Sequence, residues 1–169
     1  MTDIEHAMNV SALARRIGKQ MQMSGRDCAM LSVAGMFHDI GKMGIPPALL
    51  DKPTALTPDE YRIIQWHTTM GHLMLSSMPD TIHKEAADVA LYHHERCNGS
   101  GYMGLYKNQI PLMARIVAVA DVYDALVSDR PYRKAWPAIR AYTYLQDNAG
   151  VLFDEYIVTA LINSFAKEV

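Results

Sequence analysis

Only two cysteines, Cys28 and Cys97, occur in 169 residues. That scarcity excludes a disulfide framework and suits a reducing compartment. Net positive charge is missing too: 16 basic and 18 acidic side chains leave a formal charge of -2. With no global positive field, polymeric nucleic acid is not an expected partner, and an anionic ligand must be gripped by local basic groups. No apolar run reaches the roughly 20 residues of a membrane span. The most apolar stretch, Ile110 to Ala120, is interrupted by Arg115. The first ten residues carry Asp3 and Glu5 and lack the apolar segment of a signal peptide. Repeats, low-complexity tracts and flexible linkers are absent as well.

What remains is an ordinary globular composition, 50% hydrophobic and 20% charged, which excludes intrinsic disorder. The length predicts one domain over residues 1–169. Periodicity is helical almost throughout. Ile4, Met8, Ser11, Ala14, Ile17 and Met21 form one stripe, and a second helix is expected over Asp27 to Ile40, stopped by Gly41. Three prolines make Met43 to Ala55 a loop. Thr57, Pro58 and Glu60 spell a helix start with a capping box, running to about Ser77. Further helices are expected over Lys84 to Glu95, from Pro111 to Ser128, from Pro137 to Gly150, and from an Asp154 cap to the end. Twelve methionines read as gap-fillers of a helical core. The fold class is all-α, a compact bundle of about seven helices, with no strand or hairpin signal.

The histidines carry the chemistry. His38-Asp39 closes the second helix, His93-His94 closes the fourth, His67 lies within the third, and His6 lies early in the first. Asp121 interrupts the apolar run Ile116 to Val122. A carboxylate there is costly to desolvate unless a cation or donor pairs with it, an internal hydrogen bond and a buried arginine being the plainer alternatives. Neutral imidazoles with carboxylates are a ligand set for Fe, Mn or Zn. In His38-Asp39 the Asp can bridge two metals while the His binds one. Two ions about 3.5–4 Å apart can clamp a phosphate diester for in-line attack. Lys42 follows one turn after Asp39, within reach of a phosphate oxygen, although a helix-end lysine also complements the dipole.

The run from His38 to Pro46 resembles the core signature of the HD-GYP family, a branch of the HD phosphohydrolases. The likeness extends through Lys52-Pro53, Leu56-Thr57, His67 with Gly71, and His93-His94-Glu95-Arg96. It continues through Gly99-Ser100-Gly101-Tyr102, Ile110-Pro111, Arg115-Ile116-Val117, Asp121 to Leu126, and Asp129 to Arg133. The resemblance implies metal ligation by His6, His38, Asp39, His67, His93, His94 and Asp121, with Asp39 bridging. It implies that Lys42 holds phosphate and stabilises developing charge, and that Gly101 and Tyr102 rim the substrate. Asp124, Arg130 and Arg133 match positions where the family contacts the nucleotide or its phosphates. The implied activity is hydrolysis of cyclic di-GMP to pGpG and GMP, some relatives acting on other cyclic dinucleotides. Two divalent ions are implied, Fe or Mn, with Zn, Ni and Mg as alternatives. The setting is the bacterial cytoplasm, and GGDEF-domain proteins are candidate partners. Family members usually carry a sensory or receiver domain before this one, so a stand-alone enzyme and a module are both open.

Three departures bear on these expectations. Asn98 stands where the family has Asp, and it can still accept a hydrogen bond in a turn. Met103 stands where the family has Pro. Methionine does not fix φ, so a looser substrate rim is expected, which proline at 103 would tighten. Thr2 stands where members proposed to hold three metals have Glu, and Glu5 falls on another face, which favours two metals. Two rival readings differ in class: a signalling module with weak or no catalysis, motivated by the altered loop, and an HD phosphohydrolase of another phosphoester.

Overall fold

Thr57 does start the longest helix. Its hydroxyl accepts from Glu60 N–H, the Glu60 carboxylate accepts from Thr57 N–H, and Pro58 occupies the first turn. These local signals set the frame of the computed structural model, which describes residues 2–129 and 133–166. Among the described residues the helices are α1 (Asp3–Gln20), α2 (Gly25–Phe37), α3 (Pro47–Leu50), α4 (Pro58–Ser76), α5 (Thr81–Tyr92), α6 (Leu112–Val127), α7 (Ala138–Asp147) and α8 (Glu155–Ala166). Short 3-10 turns cover Ile40–Gly44 and Lys107–Gln109, and no strand forms among the described residues. The all-α class stands, with eight helices instead of about seven. The added one is α3, a single turn with Pro47 in its first position, inside the segment expected as loop.

α6 is the central helix, and Ile116 to Ala120 are buried all round it. It packs against α1, α2, α5, α7 and α8, while α4 packs on α5 and on the turn Ile40–Gly44. Helix ends moved where a cap was overlooked. Ser24 accepts from Asp27 N–H and starts α2 at Gly25, and Asp80 accepts from His83 N–H and starts α5 at Thr81. α2 stops at Phe37 because His38 and Asp39 leave the helix for the 3-10 turn.

One packing expectation fails and another holds only in part. The α1 stripe was expected to bury Ile4 and Met8, yet these are 73% and 57% exposed. The helix instead turns His6, Val10, Ala14 and Ile17 inward. Both stripes are periodic, and the inward one lets His6 reach two carboxylates on α6. The methionines fill the core only in part: Met30 is buried and Met21, Met23, Met78 and Met113 pack against the core, while Met8, Met36, Met43, Met70 and Met103 are exposed. Ala, Val, Ile and Leu fill the core. No helix among the described residues is long and apolar enough to cross a membrane.

Candidate metal centre

Five elements deliver side chains to one point. His38 and Asp39 come from the α2 exit, His67 from mid α4, His93 and His94 from the end of α5, and His6 and Asp121 from α1 and α6. Asp39 is the hub. Its Oδ2 lies 3.3 Å from His38 Nε2. Its Oδ1 lies 3.3 Å from His67 Nε2 and 3.7 Å from His93 Nε2. His6 Nε2 is 3.1 Å from Asp121 Oδ1. The ligand atoms fall into two groups, one of His6, His38 and Asp39, the other of Asp39, His67, His93 and His94. Within each group every ligand atom lies within 4.8 Å of the others, and Asp39 belongs to both.

The tautomers are set from behind. The Nδ1 atoms of His38, His67 and His93 face the carbonyls of Gly35, Ile64 and Ala90 at 2.8, 2.7 and 3.0 Å. A carbonyl only accepts, so each Nδ1 carries the proton and each neutral ring presents its Nε2 lone pair to Asp39. Lone pairs facing carboxylate oxygens repel unless a cation or a proton lies between them. His38 Nε2 and Asp39 Oδ1 are buried and have no hydrogen-bond partner among the described residues. The donor set therefore fits divalent ions that accept imidazole and carboxylate.

The electrostatics agree. Burial pushes Asp39 up, but the surrounding imidazoles, His38 first, bring its carboxyl well below the usual carboxylate range, the direction in which a cation at the same place would also act. Burial also pushes Asp121 up, and the hydrogen bond from His6 overrides it, so this acid is held down too. Burial keeps His93 and His94 low, hence neutral and ready to ligate. Lys42 Nζ lies 2.5 Å from Asp39 Oδ2. Burial disfavours its charge, but Asp39 raises it above its ordinary value.

His6 differs from the other histidines because Asp124 stands behind it. Its Nδ1 is 2.6 Å from Asp124 Oδ2, and the other Asp124 oxygen accepts from Asn9 at 2.9 Å. Asp124 was expected at the nucleotide. It is buried instead, and it orients His6. Burial lowers His6, but its hydrogen bonds to Asp121 and Asp124 lift it to about 9. A pKa raised on folding stabilises fully below the unfolded value near 6.5, and that stability is lost as pH rises through about 9. Chelator-treated protein should therefore melt about 5 °C lower at pH 9.5 than at pH 7.5. The slope should shrink in Asp124→Asn. A flat or rising Tm over this interval would show that His6 is not charged there.

Arg133 also has other work. Its guanidinium donates to the Ala125 carbonyl at the end of α6 and lies 5.4 Å from the Trp136 ring centroid. It serves as a C-terminal cap. Arg130 lies outside the described residues. Tyr102 lies beside the cluster, its ring 4.6 Å from that of His94. Glu5 folds back on Thr2 N–H at 2.7 Å and caps α1. Sequence reading passed over Glu95, which is 3% exposed, and Tyr61, whose ring stands 6.1 Å from Tyr102. Glu95 directly follows His93-His94, but the backbone groups it meets have no sequence signature.

The HD domain family profile matches residues 3–157, and the chain belongs to that family. Within it the chain is of the HD-GYP type, with a variant loop at Asn98 and Met103. It is 42% identical over 159 residues to the cyclic di-GMP phosphodiesterase response regulator RpfG of Xanthomonas campestris, covering 94% of this chain and 42% of that protein. It is 42% identical over 158 residues to a cyclic di-GMP phosphodiesterase of Thermotoga maritima, covering 93% of this chain and 43% of that one. The chain thus spans less than half the length of either relative. The solved structure of Bd1817, an HDG"Y"P protein from Bdellovibrio bacteriovorus, superposes with a TM-score of 0.77 at 20% identity, over 98% of this chain and 53% of that one. At that identity the likeness speaks for the fold.

Proposed function

We propose that the chain is the catalytic domain of a metal-dependent phosphodiesterase that opens cyclic dinucleotides, cyclic di-GMP foremost, to pGpG and GMP. The observation that carries this is Asp39, shared between two groups of buried ligand atoms. His6, His38 and Asp121 would hold one ion and His67, His93 and His94 the other, with Asp39 common to both. Fe or Mn suits this mixture of imidazole and carboxylate. Such ions, when bound, supply Lewis acidity toward phosphoryl oxygens and activate water near neutral pH. The chain's own residues do the rest. Lys42, beside Asp39 Oδ2, offsets charge on a phosphate oxygen as the attack develops. Gly101 and Tyr102 provide a close-approaching backbone and a ring face for the nucleotide. The names of the two relatives support the same substrate class.

Protein purified without oxygen should carry about two ions per chain and hydrolyse a cyclic dinucleotide with Mn or Fe(II), and chelation should abolish turnover. Lys42→Ala should keep the metals yet lose about ten- to a hundredfold in kcat/KM, the worth of one charge-assisted phosphate contact. Metal loss in that variant would mean that Lys42 supports the ligands instead. A second reading, a signalling module that docks on GGDEF proteins, draws on Met103 and Tyr106, which are exposed on the loop beside the site. Full metal occupancy without turnover of any cyclic dinucleotide would favour it.

A further inference from the structure

The loop after α5 carries Tyr102, and its hold on the protein is unusual. Glu95 is buried beneath it. Glu95 Oε1 accepts from Met103 N–H at 2.7 Å, and Oε2 accepts from Leu105 N–H at 2.8 Å. Gly101 lies flat on the same residue: a Cβ there would come within 2.4 Å of Glu95 Cα and 2.8 Å of Glu95 Cδ. Between these anchors the Tyr102 ring leans on His94 at 31° and meets the edge of Tyr61 at 84°. Gly101 and Met103 are therefore both fastened to Glu95, and the residue between them is pointed at a metal ligand.

We propose that Glu95 is a positioning residue that fixes Tyr102 over His94 through a two-pronged grip on the loop, and that the amide N–H of Met103 is one of its two required donors. A buried carboxylate accepting two N–H groups is a strong, directional anchor, and losing one donor strands an oxygen without water. Proline has no N–H. This chain thus obtains from a hydrogen bond the rigidity that its resemblance would assign to a proline ring. The expectation that proline at 103 tightens the rim is accordingly reversed: it would remove the donor and leave Glu95 Oε1 unsatisfied. The kinetic part of the proposal rests on the phosphodiesterase reading, but the grip itself does not.

The test uses the metal-loaded protein as wild type, Met103→Pro, Met103→Ala and Glu95→Gln. The readouts are Leu105 amide exchange by NMR, metal content, and KM and kcat for cyclic di-GMP. Met103→Pro and Glu95→Gln should each speed Leu105 exchange about tenfold or more, since a hydrogen bond to a charged group is broken or weakened. Met103→Ala keeps the N–H and should keep Leu105 protected. KM should be about tenfold higher in Met103→Pro than in Met103→Ala, a larger change than any in kcat, with metal content retained in both. Equal Leu105 protection in the proline and alanine variants, or a lower KM with proline, overturns the proposal. If wild type turns over no cyclic dinucleotide, the phosphodiesterase reading fails, and Leu105 exchange alone decides for or against the grip.

Discussion

Asp39→Ala should strip the protein of both metal ions, not one. The Asp39 oxygens lie 3.3 Å from His38 Nε2 on one side and 3.3 Å from His67 Nε2 on the other. No other carboxylate in the two ligand groups is common to both. Removing it leaves neutral imidazoles on α4 and α5 with no anion to balance a divalent charge. Partners behind metal ligands commonly contribute ten- to a hundredfold in affinity, so a shared ligand should exceed that. Elemental analysis should find well under one ion per chain, and hydrolysis should fall below about a hundredth of wild type. Asp39→Asn keeps the shape and should lose metal as well, which separates ligation from packing. A variant that retains two ions and turnover would remove Asp39 from its central place.

Gly41→Ala should be nearly as damaging, although Gly41 is not among the candidate ligands. An added Cβ would sit 1.9 Å from the His67 carbonyl oxygen and 2.4 Å from Gly71 N. Both obstacles are helix backbone, which cannot swing aside as a side chain would. The 3-10 turn Ile40–Gly44 must therefore back away from α4, and that turn follows directly on Asp39. The cost should reach about 3 kcal/mol or more, typical of severe overpacking. For a chain of this size that is a fall of about 10 °C in Tm. Metal content should drop too, because Asp39 and His67 then no longer share one centre. A Gly41→Ala protein that melts within about 2 °C of wild type with full metal would show that the turn adjusts freely.

These two residues mark how far local sequence reaches. Two helix starts were legible from caps made by neighbours, Thr57 with Glu60 and Asp154, whose carboxylate accepts from Tyr156 N–H, while the equally local caps of Ser24 and Asp80 were overlooked. Such bonds span two or three residues and need no fold. The ligand types were legible for a related reason, since imidazole and carboxylate are scarce in apolar runs and keep their chemistry wherever the chain carries them. Asp121 within Ile116 to Val122 announces a cost that something must offset.

Phase and orientation were not legible. α1 offers two helical stripes, and composition favours the one with Ile4 and Met8. The outcome turned on carboxylates more than a hundred residues away, because His6 meets Asp124 across 118 positions. The same distance hid the place of Asp124, which stands behind His6 where its motif suggests a nucleotide contact. Nor does its motif show that the Arg133 guanidinium meets a carbonyl at the end of α6. At Met103 a sequence records the absence of a proline ring but not Glu95, whose carboxylate accepts the N–H that proline would lack. Residue types can state which groups must be paired. Which partner each one meets depends on directions and distances that only packed helices set.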